Sequence, residues 1–155
     1  MKTTLRPAML ADAKPIARIL DQLGWFEEFS AQDPKLQEDR VKSFLRETLD
    51  SPTQECQVAV NEAGRVVGYA HCHQVPYFFL PEAEWYLSEL FVESEHQRQG
   101  VGSLLLDWVK ERAVARGASR VSLFTGRHRD SFQSGFYTKR GFIDKTDRAS
   151  MICPM

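Results

Sequence analysis

The spacing of apolar residues in the first third of the chain predicts a strand and then two helices. Residues 4–6 favour a short strand. A helix should follow, with Asp12 as its N-cap, Pro15 in its first turn and Gly24 as its stop. Its apolar stripe consists of Ile16, Ile19, Leu20 and Leu23. The stripe of the second helix, which Pro52 closes, consists of Val41, Phe44, Leu45 and Leu49.

The middle of the chain changes to the two-residue period of β-strands. Residues 56–60 alternate, residues 61–64 have turn chemistry, and residues 65–74 form the return strand of a hairpin. An aromatic-rich run at 85–92 predicts a buried strand. The next helix carries Leu104, Leu105, Trp108 and Val109 on one stripe and ends at Gly117.

The last part of the chain predicts short elements. Residues 121–124 favour a strand, and a helix capped by Asp130 should run through Tyr137 to Gly141. Residues 142–144 and 150–155 are predicted as the last strands. This order indicates an α/β protein of the α+β type, with one mixed sheet flanked by helices. The strand–helix–strand unit of residues 85–125 should be right-handed, with its two strands parallel.

Composition narrows the class of protein. The 155 residues favour a single domain, 1–155, and 43% hydrophobic with 26% charged residues is ordinary for a globular protein. A net charge of −1 gives no reason to expect nucleic acid or a membrane as partner. Neither a membrane-length apolar run nor a signal peptide is evident, and three separated cysteines fit no disulfide framework. We therefore expect a cytoplasmic protein.

The segment that carries chemistry is the loop at residues 97–102, between a strand and a helix. Gly100 and Gly102 allow a ligand close to the backbone, and Arg98 adds a positive charge. The unpaired N–H groups and partial positive charge of a helix start favour phosphate or pyrophosphate. A dinucleotide fingerprint would need glycine where Leu105 stands, and the Gly-Lys-Ser/Thr of a phosphate loop is missing. The alternative is that both glycines only form a tight connection.

Two motifs resemble those of the GCN5-related N-acetyltransferase superfamily. Residues 97–102, Gln-Arg-Gln-Gly-Val-Gly, match its Q/R-x-x-G-x-G/A signature, and residues 136–142 are similar to its F-Y-x-x-x-G-F landmark. The resemblance implies the fold of that superfamily, with a parallel strand pair at the cofactor cleft, and acetyl-coenzyme A (acetyl-CoA) as co-substrate without a metal. The implied cofactor-binding residues are Leu90, Phe91, Val92, Gln97, Arg98, Gln99, Gly100, Val101, Gly102 and Ser103.

The same resemblance implies catalytic roles. Tyr137 would protonate the departing thiolate, unless it only packs beside its aromatic neighbours. The backbone N–H groups of residues 90–92 would stabilise the charge on the thioester oxygen. Glu89 would accept the proton of the amine, although a solvated or ion-paired carboxylate is an equal alternative. Alternation places Glu89 on one strand face with Leu87 and Phe91, and Ser88 on the other. The family's usual cofactor-contacting asparagine is replaced here by Asp130.

The resemblance also implies an acceptor site between the first two helices. Glu27 and Glu28 could attract a cationic amine there, while the aromatic residues around them suit core packing. His71 and His73 share one strand face opposite Cys72, which favours a structural or pocket-lining role over a metal site.

The resulting hypothesis is an N-acetyltransferase that uses direct transfer to a small primary amine in a ternary complex. A non-catalytic acetyl-CoA sensor, or a transferase of a longer acyl group, is the alternative. The sequence also leaves a homodimer open.

Overall fold

The central sheet of the computed structural model follows the order of its strands along the chain. The structure describes residues 2–155. The strands are Thr4–Pro7 (β1), Gln54–Val60 (β2), Val66–Val75 (β3), Glu84–Val92 (β4) and Val121–Leu123 (β5). The first four strands pair antiparallel, and β4 pairs with β5 in parallel. The predicted mixed, mostly antiparallel sheet with one parallel pair is therefore confirmed.

Helices lie between β1 and β2, between β4 and β5, and after β5. They are Ala13–Leu23 (α1), Glu27–Ser30 (α2), Pro34–Asp50 (α3), Val101–Ala115 (α4) and Asp130–Gln133 (α5). Single 3₁₀ turns lie at Leu10–Asp12, Ser94–His96 and Thr138–Arg140. Two compact units result: the first ends at Leu123 and holds all five strands, and the second is Phe124–Met155.

The first unit packs helices on both faces of its sheet. Tyr69 of β3 lies in the buried cluster that includes Ile16 of α1 and Leu45 of α3. The preceding residue, Gly68, faces the other way, because an added Cβ there would lie 3.3 Å from the side chains of both Val101 and Leu105. The sheet thus separates α1 and α3 from α4, and Gly68 permits a close approach of the first turns of α4.

Two sequence predictions fail in the second unit. No strand occurs at 142–144 or 150–155 among the described residues. Phe142 is half-buried, and Ile143, Met151, Ile152 and Met155 are exposed rather than placed on a core face. A strand needs a neighbour for its backbone hydrogen bonds, which its own sequence does not supply. The predicted helix from Asp130 to Tyr137 is also interrupted, because Gly135 adopts a left-handed conformation with φ of 70°.

Of the two predicted N-cap positions, that of Asp12 is confirmed and that of Asp130 is wrong. Asp12 occupies the N-cap position of α1, but its side chain makes no cap hydrogen bond to that helix. Its carboxylate instead accepts bonds of 2.7 and 2.8 Å from the Arg6 guanidinium and one of 2.8 Å from the Met9 N–H. In the second unit, Arg129 takes the N-cap position of α5 and Asp130 is its first residue. Local spacing predicts both N-caps. The Asp12 carboxylate is instead bound by Arg6, and α5 begins one residue earlier than predicted.

Candidate active site

The parallel pairing of β4 with β5 stops halfway along β4. Trp85, Tyr86 and Leu87 pair with β5, and β5 then ends. In the described part of the chain, no strand pairs with residues 88–92 on that edge, although β3 continues to pair on the other edge. The residues Leu90, Phe91 and Val92, predicted to stabilise the thioester oxygen, all lie in this half of β4.

A β-bulge in β4 changes the direction of its side chains at the same point. His71 pairs with Glu89, but the next residue of β3, Cys72, pairs with Leu87. Ser88 is therefore an extra residue without its own partner on β3. The strict alternation expected from the sequence fails here, because Ser88 and Glu89 line the same pocket and Leu87 does not.

This pocket has a volume of about 510 Å³ and lies wholly within the first unit. Its walls come from α1 and α3 on one side and from β2, β3 and β4 on the other. The helices contribute apolar side chains such as Ile16, Leu20 and Val41. The sheet contributes polar groups, including Glu89. The pocket therefore combines an apolar helical side with one polar end at the sheet, although α3 also contributes Arg40, Glu47 and Thr48.

Glu89 is held at that end by hydrogen bonding. The Tyr69 hydroxyl donates to Glu89 Oε2, and His71 Nδ1 lies 4.0 Å from Oε1. Burial raises the pKa of Glu89, but the contacts with His71 and Tyr69 outweigh it, so the pKa lies below its usual range. Burial, and then the neighbouring Glu89 charge, raise the pKa of Tyr69 well above its usual value. Glu89 is therefore ionised at neutral pH beside a protonated phenol.

The second histidine of β3 is fixed by Ser88. The Ser88 hydroxyl donates to the His71 carbonyl over 3.1 Å, and it lies 2.9 Å from His73 Nε2. Because that hydroxyl has only one proton, His73 Nε2 must be the donor in the second contact. Burial and then His71 lower the pKa of His73, although Glu89 opposes them. His73 is thus a neutral imidazole with its proton on Nε2.

The predicted anion loop has a backbone suited to close contact with a ligand. Arg98 has φ of 59° and Gly100 has φ of 86°, both in the left-handed region. The side chains of the two glutamines hold the loop itself: Gln97 donates to the Val92 carbonyl at 3.0 Å, and Gln99 to the Glu95 carbonyl at 2.8 Å. These contacts shape the loop, and the cofactor contacts of both residues remain a prediction.

The start of α4 completes this loop. Gly100 is the N-cap residue, no side chain caps the helix, and its first turn has no acidic residue. An added Cβ at Gly100 would find open space. A helix of 15 residues with an uncapped start favours an anion at that end. The region thus fits a pyrophosphate, with Val101, Gly102 and Ser103 in the first turn.

A buried carboxylate anchors the beginning of the same segment. Glu93 is 2% exposed and lies between the end of β4 and the 3₁₀ turn that precedes the loop. Its Oε1 accepts from Arg18 Nε at 3.2 Å and from the Arg65 guanidinium. His96 Nδ1 lies 3.1 Å from its Oε2, without hydrogen-bond geometry. Glu93 therefore ties the loop to α1 and to the β2–β3 hairpin.

Tyr137 belongs to the second unit. Its ring packs edge-on against Phe136 and Phe142, with centroids 5.0 and 5.8 Å away. Burial raises the pKa of Tyr137, and a hydrogen bond with Ser131 opposes it. The phenol is therefore protonated at neutral pH and can donate a proton. Its role toward the cofactor remains a prediction.

Glu27 and Glu28 lie outside the pocket. Both are exposed at the start of α2, and only Phe29 of that short helix lines the pocket. The aromatic residues before them pack on β4, since Trp25 and Phe26 contact the Phe91 ring at 5.8 and 5.6 Å between centroids. The core-packing interpretation is confirmed for Phe29, which is buried, but it is wrong for Trp25 and Phe26, which remain exposed. A role for Glu27 or Glu28 in attracting an amine remains a prediction.

The pocket-lining interpretation of His71 and His73 is confirmed, whereas the part played by Tyr69 was missed. The signal was present, because Tyr69, His71 and His73 are two residues apart and share one face of β3. No group of three or more metal-ligating side chains is found within residues 2–155. None of the helices in that range is long and apolar enough to cross a membrane.

Comparison with known proteins agrees with this geometry. The model of the acetyltransferase (GNAT) family matches residues 19–142. The chain belongs to this family of acetyltransferases. An uncharacterised N-acetyltransferase, YhfO of Bacillus subtilis (strain 168), is 27% identical over 142 residues, covering 92% of this chain and 91% of that protein.

Solved structures share the fold at lower identity. A transcriptional regulator from Bacillus halodurans C-125 aligns with a TM-score of 0.85 at 24% identity, covering 99% of this chain and 100% of that one. An aminoglycoside acetyltransferase from an uncultured soil sample aligns with a TM-score of 0.77 at 19% identity, covering 100% and 99%. Because these names differ, the fold does not select a substrate, and the site must be argued from its residues.

Proposed function

We propose that this protein transfers the acetyl group of acetyl-CoA to a small primary amine by direct attack in a ternary complex. The proposal rests on one observation: three groups that the reaction needs follow one another along β4 and the segment after it. Glu89 lies in the pocket at the bulge, residues 90–92 follow on the edge that β5 leaves unpaired, and the anion loop leads into α4.

The phosphates of the co-substrate would be held by the loop at residues 97–103. Its left-handed Gly100 and the uncapped start of α4 suit an anion, and Arg98 adds a positive charge. When bound, acetyl-CoA supplies an acetyl group activated as a thioester. The backbone N–H groups of residues 90–92 would donate toward the thioester oxygen, where negative charge develops.

Glu89 would accept the proton that the amine loses. Its carboxylate is ionised at neutral pH, and it is 38% exposed, because part of the side chain faces the open pocket. An ammonium ion can therefore reach it from solvent. Tyr137 would return a proton to the departing thiolate, consistent with a phenol that is protonated at neutral pH.

Direct transfer is favoured over an acetyl-cysteine intermediate. Cys56 and Cys72 are buried. Burial, and then the charge of Glu89, raise the pKa of Cys56 to about 12, and burial also raises that of Cys72. Both are therefore poor nucleophiles, since the thiolate is the reactive form. The exposed Cys153 lies outside both sequence motifs.

The test is a panel of amines assayed with acetyl-CoA, with release of the free thiol as readout. Turnover of primary amines supports the proposal. Binding of acetyl-CoA without turnover of any amine would favour the alternative, a non-catalytic sensor. A parallel panel of acyl-CoA donors distinguishes acetyl transfer from transfer of a longer acyl group.

A further inference from the structure

The pocket beside Glu89 has features that select among amines. Its helical walls supply most of its apolar side chains, and its charged side chains lie on different walls. Glu89 belongs to the sheet side, whereas Arg40 and Glu47 are exposed residues of α3 at the solvent side. A ligand that fills this space therefore meets a carboxylate at one end and hydrocarbon along its length.

We propose that the acceptor is a primary amine with an apolar body, of the phenylalkylamine or alkylamine class, bound with its nitrogen at Glu89. This inference rests on the proposed function. The volume of about 510 Å³ accommodates a molecule of this size. Ile16, Leu20 and Val41 would cover the body of the ligand, and the charge of Glu89 would be matched by the ammonium.

The polar end is complementary to one cation rather than to a polycation. The remaining sheet-side groups are already engaged: Tyr69 donates to Glu89, and His73 contacts Ser88. His71 lies within 3.2 Å of both Gln54 and Thr48. The charged side chains of the lining are one arginine, Arg40, and two glutamates, Glu47 and Glu89, and their net charge of −1 matches one ammonium better than two. A polyamine or an amino sugar fits this lining poorly.

Phe44 offers a direct test of the apolar wall. It lines the pocket and is 63% exposed, so its replacement should leave the core intact. Leu36 lies on the same helix, is 59% exposed and does not line the pocket, which makes it a matched control. The variants are Phe44→Ser, Phe44→Leu and Leu36→Ser, assayed in the full chain.

The probes are 2-phenylethylamine, ethanolamine, spermidine and 3-phenylpropionate. Calorimetry measures the binding of each, with and without coenzyme A, and thiol release measures kcat/KM for the three amines. We expect 2-phenylethylamine to be preferred over ethanolamine and spermidine by at least about tenfold, and 3-phenylpropionate not to bind. Phe44→Ser should weaken 2-phenylethylamine about tenfold, the effect of losing roughly 50 Å² of apolar contact. Phe44→Leu should restore most of the affinity, and Leu36→Ser should change nothing.

Equal use of ethanolamine and 2-phenylethylamine, a preference for spermidine, or indifference to Phe44→Ser would each overturn the inference while leaving the acetyltransferase proposal in place. Binding of 2-phenylethylamine at the Phe44-lined pocket without any acetyl transfer would support the inference about the ligand. The lack of acetyl transfer in that experiment would, however, refute the proposed function.

Discussion

Ser88 and Glu89 are consecutive residues of β4, yet both side chains line the same pocket. The β-bulge opposite His71 and Cys72 removes one step of the alternation, so two neighbouring side chains share a face. Ser88 then contacts His73, and Glu89 contacts Tyr69. The extra residue in β4 thus places the Glu89 carboxylate and the Ser88 hydroxyl, which contacts His73, at the same end of the pocket.

Glu89→Gln tests this carboxylate as a general base. We expect kcat/KM for an amine to fall ~10²–10⁴-fold at pH 7. The loss should shrink at about pH 9.5, because more of the amine, with a pKa near ~10, is already deprotonated in solution. The lowered pKa of Glu89 places its own protonation below its usual ~4.3, so this carboxyl does not itself titrate between these pH values. Glu82→Gln, an exposed glutamate, is the control, and an equal loss at both pH values would indicate a merely structural role.

Gly102→Val tests the anion loop. Gly102 lies in α4 with ordinary helical backbone, so valine should be tolerated by the fold. Its side chain would obstruct the pyrophosphate and weaken acetyl-CoA binding at least about tenfold, or about 1.4 kcal/mol. Ala115→Val, at an exposed position of the same helix, is the matched control. Unchanged affinity in a folded Gly102→Val protein, measured by calorimetry, would refute the assignment.

Glu93→Gln tests the anchor of that loop. The substitution keeps the shape of the buried side chain but removes the charge that pairs with Arg18 and Arg65. Both arginines can reach solvent, so we expect a loss of about 1–3 kcal/mol in the free energy of unfolding, measured with urea. Weaker acetyl-CoA binding should accompany it. Glu95→Gln, at an exposed position of the adjoining 3₁₀ turn, should have no effect, and equal stability of the two variants would contradict the anchoring role.

Tyr137→Phe removes only the hydroxyl that we propose as the proton donor. The aromatic packing against Phe136 and Phe142 is retained, so folding and acetyl-CoA affinity should be unchanged. We expect kcat to fall ~10²–10⁴-fold. Tyr77→Phe serves as control. A Tyr137→Phe enzyme with the wild-type kcat would leave this tyrosine with a packing role alone.

The ion pairs of Glu55 predict how the free energy of unfolding depends on pH. It accepts hydrogen bonds of 2.7 and 2.6 Å from Arg112 and one of 2.7 Å from Arg116, which join β2 to α4. Burial raises the pKa of Glu55, but both arginines outweigh it and lower the pKa below its usual range. The folded state therefore binds the proton less readily than the unfolded state does, so the contribution to stability is complete above the unfolded value of ~4.3. It is lost as pH falls through the lower folded value.

The comparison that measures this contribution is urea unfolding of the wild type and Glu55→Gln. We expect the variant to be less stable by about 1–3 kcal/mol at pH 7, with the difference shrinking below about pH 4. Glu62→Gln, in the exposed β2–β3 turn, is the control. A difference that stays constant down to acid pH would show that the charge of Glu55 is not responsible.

The sequence alone was sufficient for features that depend on neighbours along the chain. The stop of α1 at Gly24, the hairpin turn at residues 61–64 and the glycine-containing start of α4 all follow from local backbone preferences and the period of apolar residues. The parallel pairing of β4 with β5 followed from the intervening helix, because parallel strands need a long crossover.

Only the tertiary structure decided which carboxylate lies in the pocket. Glu27, Glu28 and Glu89 are the same residue type in the sequence, yet Glu89 alone of the three lines the pocket, because it pairs with His71 on β3 and Tyr69 holds its carboxylate. The same limit explains why the predicted strands at 142–144 and 150–155 do not form, since their backbone finds no partner strand among the described residues. Turns, helix ends and strand periods follow from the φ and ψ preferences of each residue and from the spacing of buried positions. Bulges, strand partners and ion pairs depend on contacts between segments that are distant in sequence.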